Sequence, residues 1–211
     1  MVPLISAIIL AAGESRRMGK PKQLMPLGKT TILERTVDNF LNSEVYDVIV
    51  VVGYRAGEVA SLIANRPVAV AVNSAYREGM GTSIVAGLSL ISDKAQGVMI
   101  ALADQPFVDS QTINRLIEAF GVYDKGIVMP TYQGRKGHPV IFSIKYKEEL
   151  LALKGDIGGR QIIDQHPDDV LEVVVNCEGI CIDIDSVDSY NSEKSKFRQK
   201  LPRGKLRDRR Y

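Results

Sequence analysis

The chain has 211 residues, 45% of them hydrophobic and 25% charged, which suffices for one sizeable core and argues against wholesale disorder, collagen-like repeats and a disulfide scaffold. Its net charge of +2 is unevenly spread: residues 191–211 carry nine Lys/Arg against two acids, leaving a mildly acidic body. A nucleic-acid surface would show as a basic stripe inside the folded domain, and none is expected here. No apolar run approaches the ~20 residues that span a bilayer, so no membrane partner is expected either. Residues 2–12 are apolar but lack a positive n-region and run straight into Gly13-Glu14-Ser15-Arg16-Arg17, so they read as a buried strand and not as a signal peptide. Two cysteines, Cys177 and Cys181, cannot build a disulfide framework or complete a four-ligand zinc site. Reduced thiols and a cytoplasmic location are the expectation.

In chain order, apolar β-rich runs alternate with segments of helical period. SAIIL at 6–10 is followed by a helix near 31–42, DVIVVVG at 47–53 by a helix near 56–65, and VAVAV at 68–72 by a helix near 82–92. GVMIALAD at 97–104 precedes a helix near 110–121, and GIVMPTY at 126–132 precedes helices near 145–153 and 158–165. Continuously apolar strands are what helices on both faces of a parallel sheet require. The pattern predicts an α/β fold, a single doubly wound, mostly parallel, Rossmann-like sheet. VLEVVVN at 170–176 and ICIDID at 180–185, split by a Glu-Gly turn, predict a late β-hairpin at the sheet edge. Residues 1–190 are expected to form the domain, and 191–211 a basic helix fraying into a flexible tail.

The first strand empties into LAAGESRRMGKPKQL. A Gly-rich basic loop at the carboxyl edge of an open sheet offers backbone N–H groups and cations to a triphosphate. Gly13 would allow close approach, Arg17 would neutralise phosphate through a planar fork and Lys22 as a point charge. The spacing is neither a Walker A motif nor GxGxxG, and an ordinary basic turn is the bland alternative.

Leu10, Ala11, Ala12, Gly13, Ser15, Arg17, Met18, Gly19 and Lys22 together resemble the signature of the nucleotidyltransferases of molybdenum cofactor biosynthesis. NSAYREGMGTSIVAGL at 73–88, ALADQPFV at 101–108, GRKGHPVIF at 134–142 and GDIGGR at 155–160 are similar to the cytidylyltransferase branch, so the resemblance covers roughly residues 4–190. It implies transfer of a nucleotidyl group from a nucleoside triphosphate to a phosphorylated acceptor, with release of pyrophosphate. Leu10 to Gly13 would contact the nucleotide, and Leu-Ala-Ala-Gly in place of Leu-Ala-Gly-Gly points to CTP, because Ala12 leaves less room for a base.

Asp104 ends an apolar strand before Gln105-Pro106, at the carboxyl edge where a hard divalent cation would neutralise phosphate charge. It is the first choice as ligand of Mg²⁺, with an N-cap or turn role as the alternative. The family's closing Ile-Asp-(Thr/Ser) element maps onto Ile184-Asp185-Ser186 and makes Asp185 the second ligand, with Asp183 on the same face in support and Asp188 a helix-start residue. Asn73 and Ser83 are placed against the nucleotide, although Thr82 or Ser83 could simply cap a helix. The resemblance puts Gly79, Gly81, His138, Asp156 and Arg160 at the acceptor. An internal salt bridge explains Asp156 and Arg160 almost as well; Arg135 and Lys136 suit either an anionic acceptor or solvent, and His166 reads as structural.

Arg17, Lys22 and Asp104 are thus the expected catalytic groups of a Mg²⁺-dependent enzyme joining CTP to molybdenum-loaded molybdopterin. Transient docking to a molybdoenzyme or its chaperone is a further expectation. The competing readings are a transferase for a sugar or alditol phosphate and a nonenzymatic carrier of molybdenum cofactor.

Overall fold

The computed structural model describes residues 2–200. Its elements are β1 (Ile5–Ala11), β2 (Pro26–Leu27), β3 (Thr30–Thr31), α1 (Ile32–Leu41), β4 (Asp47–Val52), α2 (Ala56–Leu62), β5 (Ala69–Val72), α3 (Met80–Leu88), β6 (Gly97–Leu102) and α4 (Ser110–Val122). β7 (Ile127–Tyr132), β8 (Arg135–Lys136), β9 (Val140–Ser143), α5 (Lys147–Leu151), α6 (Arg160–Gln165), β10 (Val170–Val174) and α7 (Val187–Lys200) follow.

One sheet runs in the order β10-β7-β9-β6-β1-β4-β5, with β8 pairing β7 and β2-β3 a separate small hairpin. Neighbours along that order are parallel except around β9, which is antiparallel to both β6 and β7. Strand residues alternate between two cores. Ile5, Ala7, Ile9, Val48, Val50 and Val52 face α1, α2 and α4, while Ile8, Ile49 and Val51 face α3, α5 and α6. Both faces of the central strands β1, β4 and β6 are buried, so their runs are almost continuously apolar and show no polar alternation.

Chain order reverses at β1, whose neighbours are β4 on one side and β6 on the other. Loops leaving β1 and β6 therefore diverge and open a crevice at the carboxyl edge, the usual ligand position in open α/β sheets. A third, smaller cluster of Met18, Met25, Leu27, Ile32, Ile184 and Tyr190 packs the loop after β1 against the segment before α7. That contact brings two stretches remote in sequence to one place.

The expected late hairpin is corrected by the structure. β10 is an edge strand, but it pairs parallel to β7 from Val170↔Ile127 to Val174↔Thr131. Its expected partner forms a 3₁₀ turn at Glu178–Cys181 and then an irregular extended strap. Ile180 and Ile184 are fully buried, and Ile184 N donates to Asp104 O, so this segment folds back over the end of β6 to bury its isoleucines. GRKGHPVIF, to which the sequence pattern assigns no strand, supplies β8 and β9. The expected boundary at 190 falls inside α7, and residues 201–211 of the expected tail lie outside the described residues.

Candidate active site

A cavity of about 350 Å³ opens between the ends of β1 and β6. Leu10, Ala12, Gly13, Lys22, Ser83, Asp104, Asp183 and Asp185 all line it, as do Gly79 and Asp156. Lys22 Nζ bonds to Asp104 and to Asp185 Oδ1, the latter at 2.7 Å, and Arg17 donates to the other oxygen of Asp185 at 3.0 Å. Asp183 accepts from Gln105 Nε2 at 2.7 Å, and the same amide also bonds Ile180 O.

Burial pushes the Asp104 carboxyl above the ordinary range even against Lys22, and Asp183 and Asp185 add to the push. Burial also opposes the charge on Asp185, but Lys22 and then Arg17 hold its pKa below the usual value. Burial disfavours the Lys22 ammonium too, yet Asp104 and Asp185 outweigh it and hold its pKa above that of a free lysine.

Four carboxylates face this cavity against one ammonium. A polyphosphate would be repelled from such a wall unless a cation accompanied it. Asp104, Asp183 and Asp185 are hard oxygen donors, and the bridging ammonium of Lys22 marks a point between two of them where positive charge already sits. The residues fit a divalent ion. The described residues contain no closed cluster of three His, Cys, Asp or Glu, which leaves phosphate oxygens and water to complete any coordination.

The loop after β1 turns its carbonyls inward. Gln23 Nε2 donates to Ala11 O at 2.9 Å and to Gly13 O at 3.1 Å, and Tyr54 N donates to Ala12 O at 3.0 Å. Among the described residues, no backbone acceptor lies within hydrogen-bond range of the Gly13, Glu14 and Ser15 N–H groups. A Cβ at Gly13 would meet nothing within 4 Å. Glu14 gathers Arg77 and Arg16 at the rim, and these two bonds, in that order, hold its carboxyl down to about 2.

Other expected residues have structural places. Asn73 is buried; its Nδ2 donates to Thr82 Oγ1 and Ser83 Oγ, each at 2.9 Å, so it sets the first turn of α3 and does not face the cavity. Ser83, whose Oγ accepts that bond, lines the cavity. Ala11 lies inside the core. Gly79 has φ +115°, and a Cβ there would sit 2.1 Å from Gly155 C; Gly81 N donates to Gly155 O. Both glycines thus let the start of α3 touch the loop at 153–156, and Gly81 is off the cavity wall. Asp156 Oδ1 accepts from Met80 N at 3.2 Å.

A second cavity of about 500 Å³ adjoins the first across Met80. His138 and Arg160 line it together with Met129, Phe142 and Ile163. Burial lowers the pKa of the His138 imidazole against the pull of Asp183, which leaves the ring neutral at pH 7. Arg160 is almost fully exposed, at the rim. Lys136, which also lines this cavity, pairs with Glu172, while His166 bonds Glu149, packs at a tilt against Tyr146 and lines neither cavity. Gln23 and Gln105 are functional neighbours that the sequence hardly signals, since only their position beside Lys22 and Asp104 sets them apart.

The MobA-like NTP transferase domain family matches residues 7–170. The nicotine blue oxidoreductase of Paenarthrobacter nicotinovorans is 28% identical over 89% of this chain and 95% of its own length. The molybdenum cofactor cytidylyltransferase of Escherichia coli K12 is 27% identical, covering 92% and 97%. Rv0371c of Mycobacterium tuberculosis H37Rv, crystallised in complex with manganese, superposes with a TM-score of 0.80 at 28% identity, covering 92% of this chain and 100% of that one.

Proposed function

The chain belongs to the MobA-like NTP transferase family, and from that premise we propose that it is a divalent-cation-dependent cytidylyltransferase that joins CTP to molybdopterin. The observation that carries the reading is the convergence of the Gly13 loop, Lys22, Asp104 and Asp185 on one cavity, with an acceptor-sized cavity directly beside it. Similarity to the E. coli cytidylyltransferase over nearly the full length supports the acceptor.

The loop N–H groups and Lys22 bind the triphosphate, and Arg17 stands at the mouth to meet its outer oxygens. Asp104 and Asp185, with Asp183 beside them, would hold Mg²⁺. The bound ion supplies charge neutralisation on the α-phosphate and on departing pyrophosphate. The acceptor phosphate is itself the nucleophile, so no covalent enzyme intermediate is needed and positioning and electrostatics carry the step. His138, neutral and facing the second cavity, donates a hydrogen bond to the acceptor, and Arg160 draws an anion to the rim. Ala12, buried and packed beside Gly53, narrows the base end of the cavity in favour of a pyrimidine.

The relative named as an oxidoreductase raises a second reading, redox chemistry on the same fold. A carboxylate-lysine cluster is suited to phosphoryl chemistry and offers no redox group of its own. A pyrophosphate-release screen of four nucleoside triphosphates against molybdenum-loaded molybdopterin and several sugar and alditol phosphates tests the proposal. CTP with molybdopterin should be turned over much faster than any other pair. Comparable turnover of GTP removes the base assignment, a faster sugar phosphate removes the acceptor, and no release with any pair leaves the carrier or redox reading.

A further inference from the structure

We infer that Gln23 is the positioning residue that presets the phosphate-binding loop, an inference that rests on the nucleotide-binding reading of that loop. A loop can bind a polyanion only if its N–H groups point outward together, and this requires its carbonyls to be satisfied on the other side. Gln23 does this for two of three consecutive carbonyls, through one Nε2 bonded to Ala11 O and Gly13 O, while the Tyr54 amide takes Ala12 O between them. The result is a run of N–H groups at Gly13 to Ser15, beside the cavity, that have no backbone acceptor among the described residues.

The amide is an odd choice for the fold alone. Gln23 is 2% exposed, and its Oε1 is buried with no hydrogen-bond partner among the described residues. The desolvation cost of an unpartnered amide oxygen is of the same order as the gain from two neutral hydrogen bonds, so the side chain adds little net stability. An apolar residue of the same length would fill the same space, but the Ala11 and Gly13 carbonyls it left without a donor could be satisfied only by loosening the loop towards water. What only the amide supplies is the pair of N–H donors that fix the loop. Its place in sequence serves the same end: Lys22, one residue earlier, reaches Asp104, and the Lys22 backbone N–H donates to Ser15 Oγ at the far end of the loop. One short segment thus holds the loop at both ends and adds its cation.

Gln23→Met tests this, because it keeps the length and removes both donors. Inorganic tripolyphosphate with Mg²⁺, titrated calorimetrically, is the probe, since it reports on the loop independently of base and acceptor. Affinity should fall on the order of tenfold. Amide exchange should quicken at residues 12–17 but not in β1 or β4, and the ligand-free melting temperature should stay within about 3 °C. Gln23→Glu, which sets a carboxylate against two carbonyls, should lose more affinity than the Met variant. Equal tripolyphosphate binding by wild type and Gln23→Met overturns the inference alone. So does a melting temperature lower by about 10 °C, which would assign the side chain to global stability. If the wild type binds neither tripolyphosphate nor CTP, the nucleotide reading itself fails and this inference with it.

Discussion

Lys22 Nζ lies 2.7 Å from Asp185 Oδ1 and bonds at the same time to Asp104, so a single ammonium ties the loop after β1 to the end of β6 and to the strap before α7. Both Lys22 and Asp104 are less than one-fifth exposed. Breaking a buried pair by deleting one partner strands the other charge.

Lys22→Met is therefore expected to cost about 3 kcal/mol of ligand-free stability, read by urea denaturation. It should also raise the KM for CTP and slow turnover, because a point charge leaves the phosphates. Unchanged CTP kinetics would place the phosphates elsewhere.

Asp104→Asn separates catalysis from folding. The uncharged isostere removes a desolvation cost as well as an ion pair, and Asp185 remains to hold Lys22, so stability should change by no more than about 1 kcal/mol. Turnover should fall by ~10²–10³ or more as the charge holding the cation is lost. Near-normal activity would leave Asp104 as a turn residue only.

Two glycines should behave oppositely. At Gly79 an added Cβ meets Gly155 at 2.1 Å and the backbone has positive φ, so Gly79→Ala should cost on the order of 3 kcal/mol. At Gly13 a methyl projects into open space at the cavity wall. Gly13→Ala should fold normally, with a melting temperature close to wild type, and bind CTP more weakly.

Acid stability depends on a site remote from the cavity. Burial opposes the charge on Asp169, but Lys145, Tyr146 and the Gly126 backbone overcome it and hold the carboxyl at about 2, against a usual 3.8. A carboxyl with a depressed folded-state pKa stabilises the fold above its unfolded value, and that contribution is lost as pH falls from near 4 towards 2. Because the group is partly open to solvent, Asp169→Asn should cost only about 1 kcal/mol at pH 7 and flatten the stability profile across that window. An unaltered acid limb in the variant would remove Asp169 from the balance.

Much of the fold is legible in the sequence because periodicity and loop chemistry are local. Continuous apolar runs mark β1, β4, β6 and β7, and the order of strands and helices alone assigns the Gly13 loop and Asp104 to the carboxyl edge. The strap at 182–185 is not legible in this way. ICIDID alternates as a strand does, but Ile184 is buried in the cluster of Met18 and Phe107 and Ile180 in the main core, and only tertiary packing supplies that alternative. Asn73 and Gly81 carry the marks of ligand contacts because a motif singles out residues that must be particular without saying why. In the structure Asn73 bonds the start of α3, and Gly81 lies against the backbone at 153–154. Gln23 escapes the sequence altogether, since nothing local distinguishes a buried glutamine from a solvated one.

Transfer of a nucleotidyl group can be followed through phosphorus itself. Wild-type protein would be incubated with Mg²⁺, molybdenum-loaded molybdopterin and CTP labelled at either the α- or the γ-phosphate. The α label should appear in a molybdopterin dinucleotide and the γ label in pyrophosphate, in equal amounts, with Asp104→Asn forming both at a rate lower by ~10²–10³ or more. Transfer of the γ label to the acceptor, or consumption of CTP without label in any acceptor product, would contradict nucleotidyl transfer.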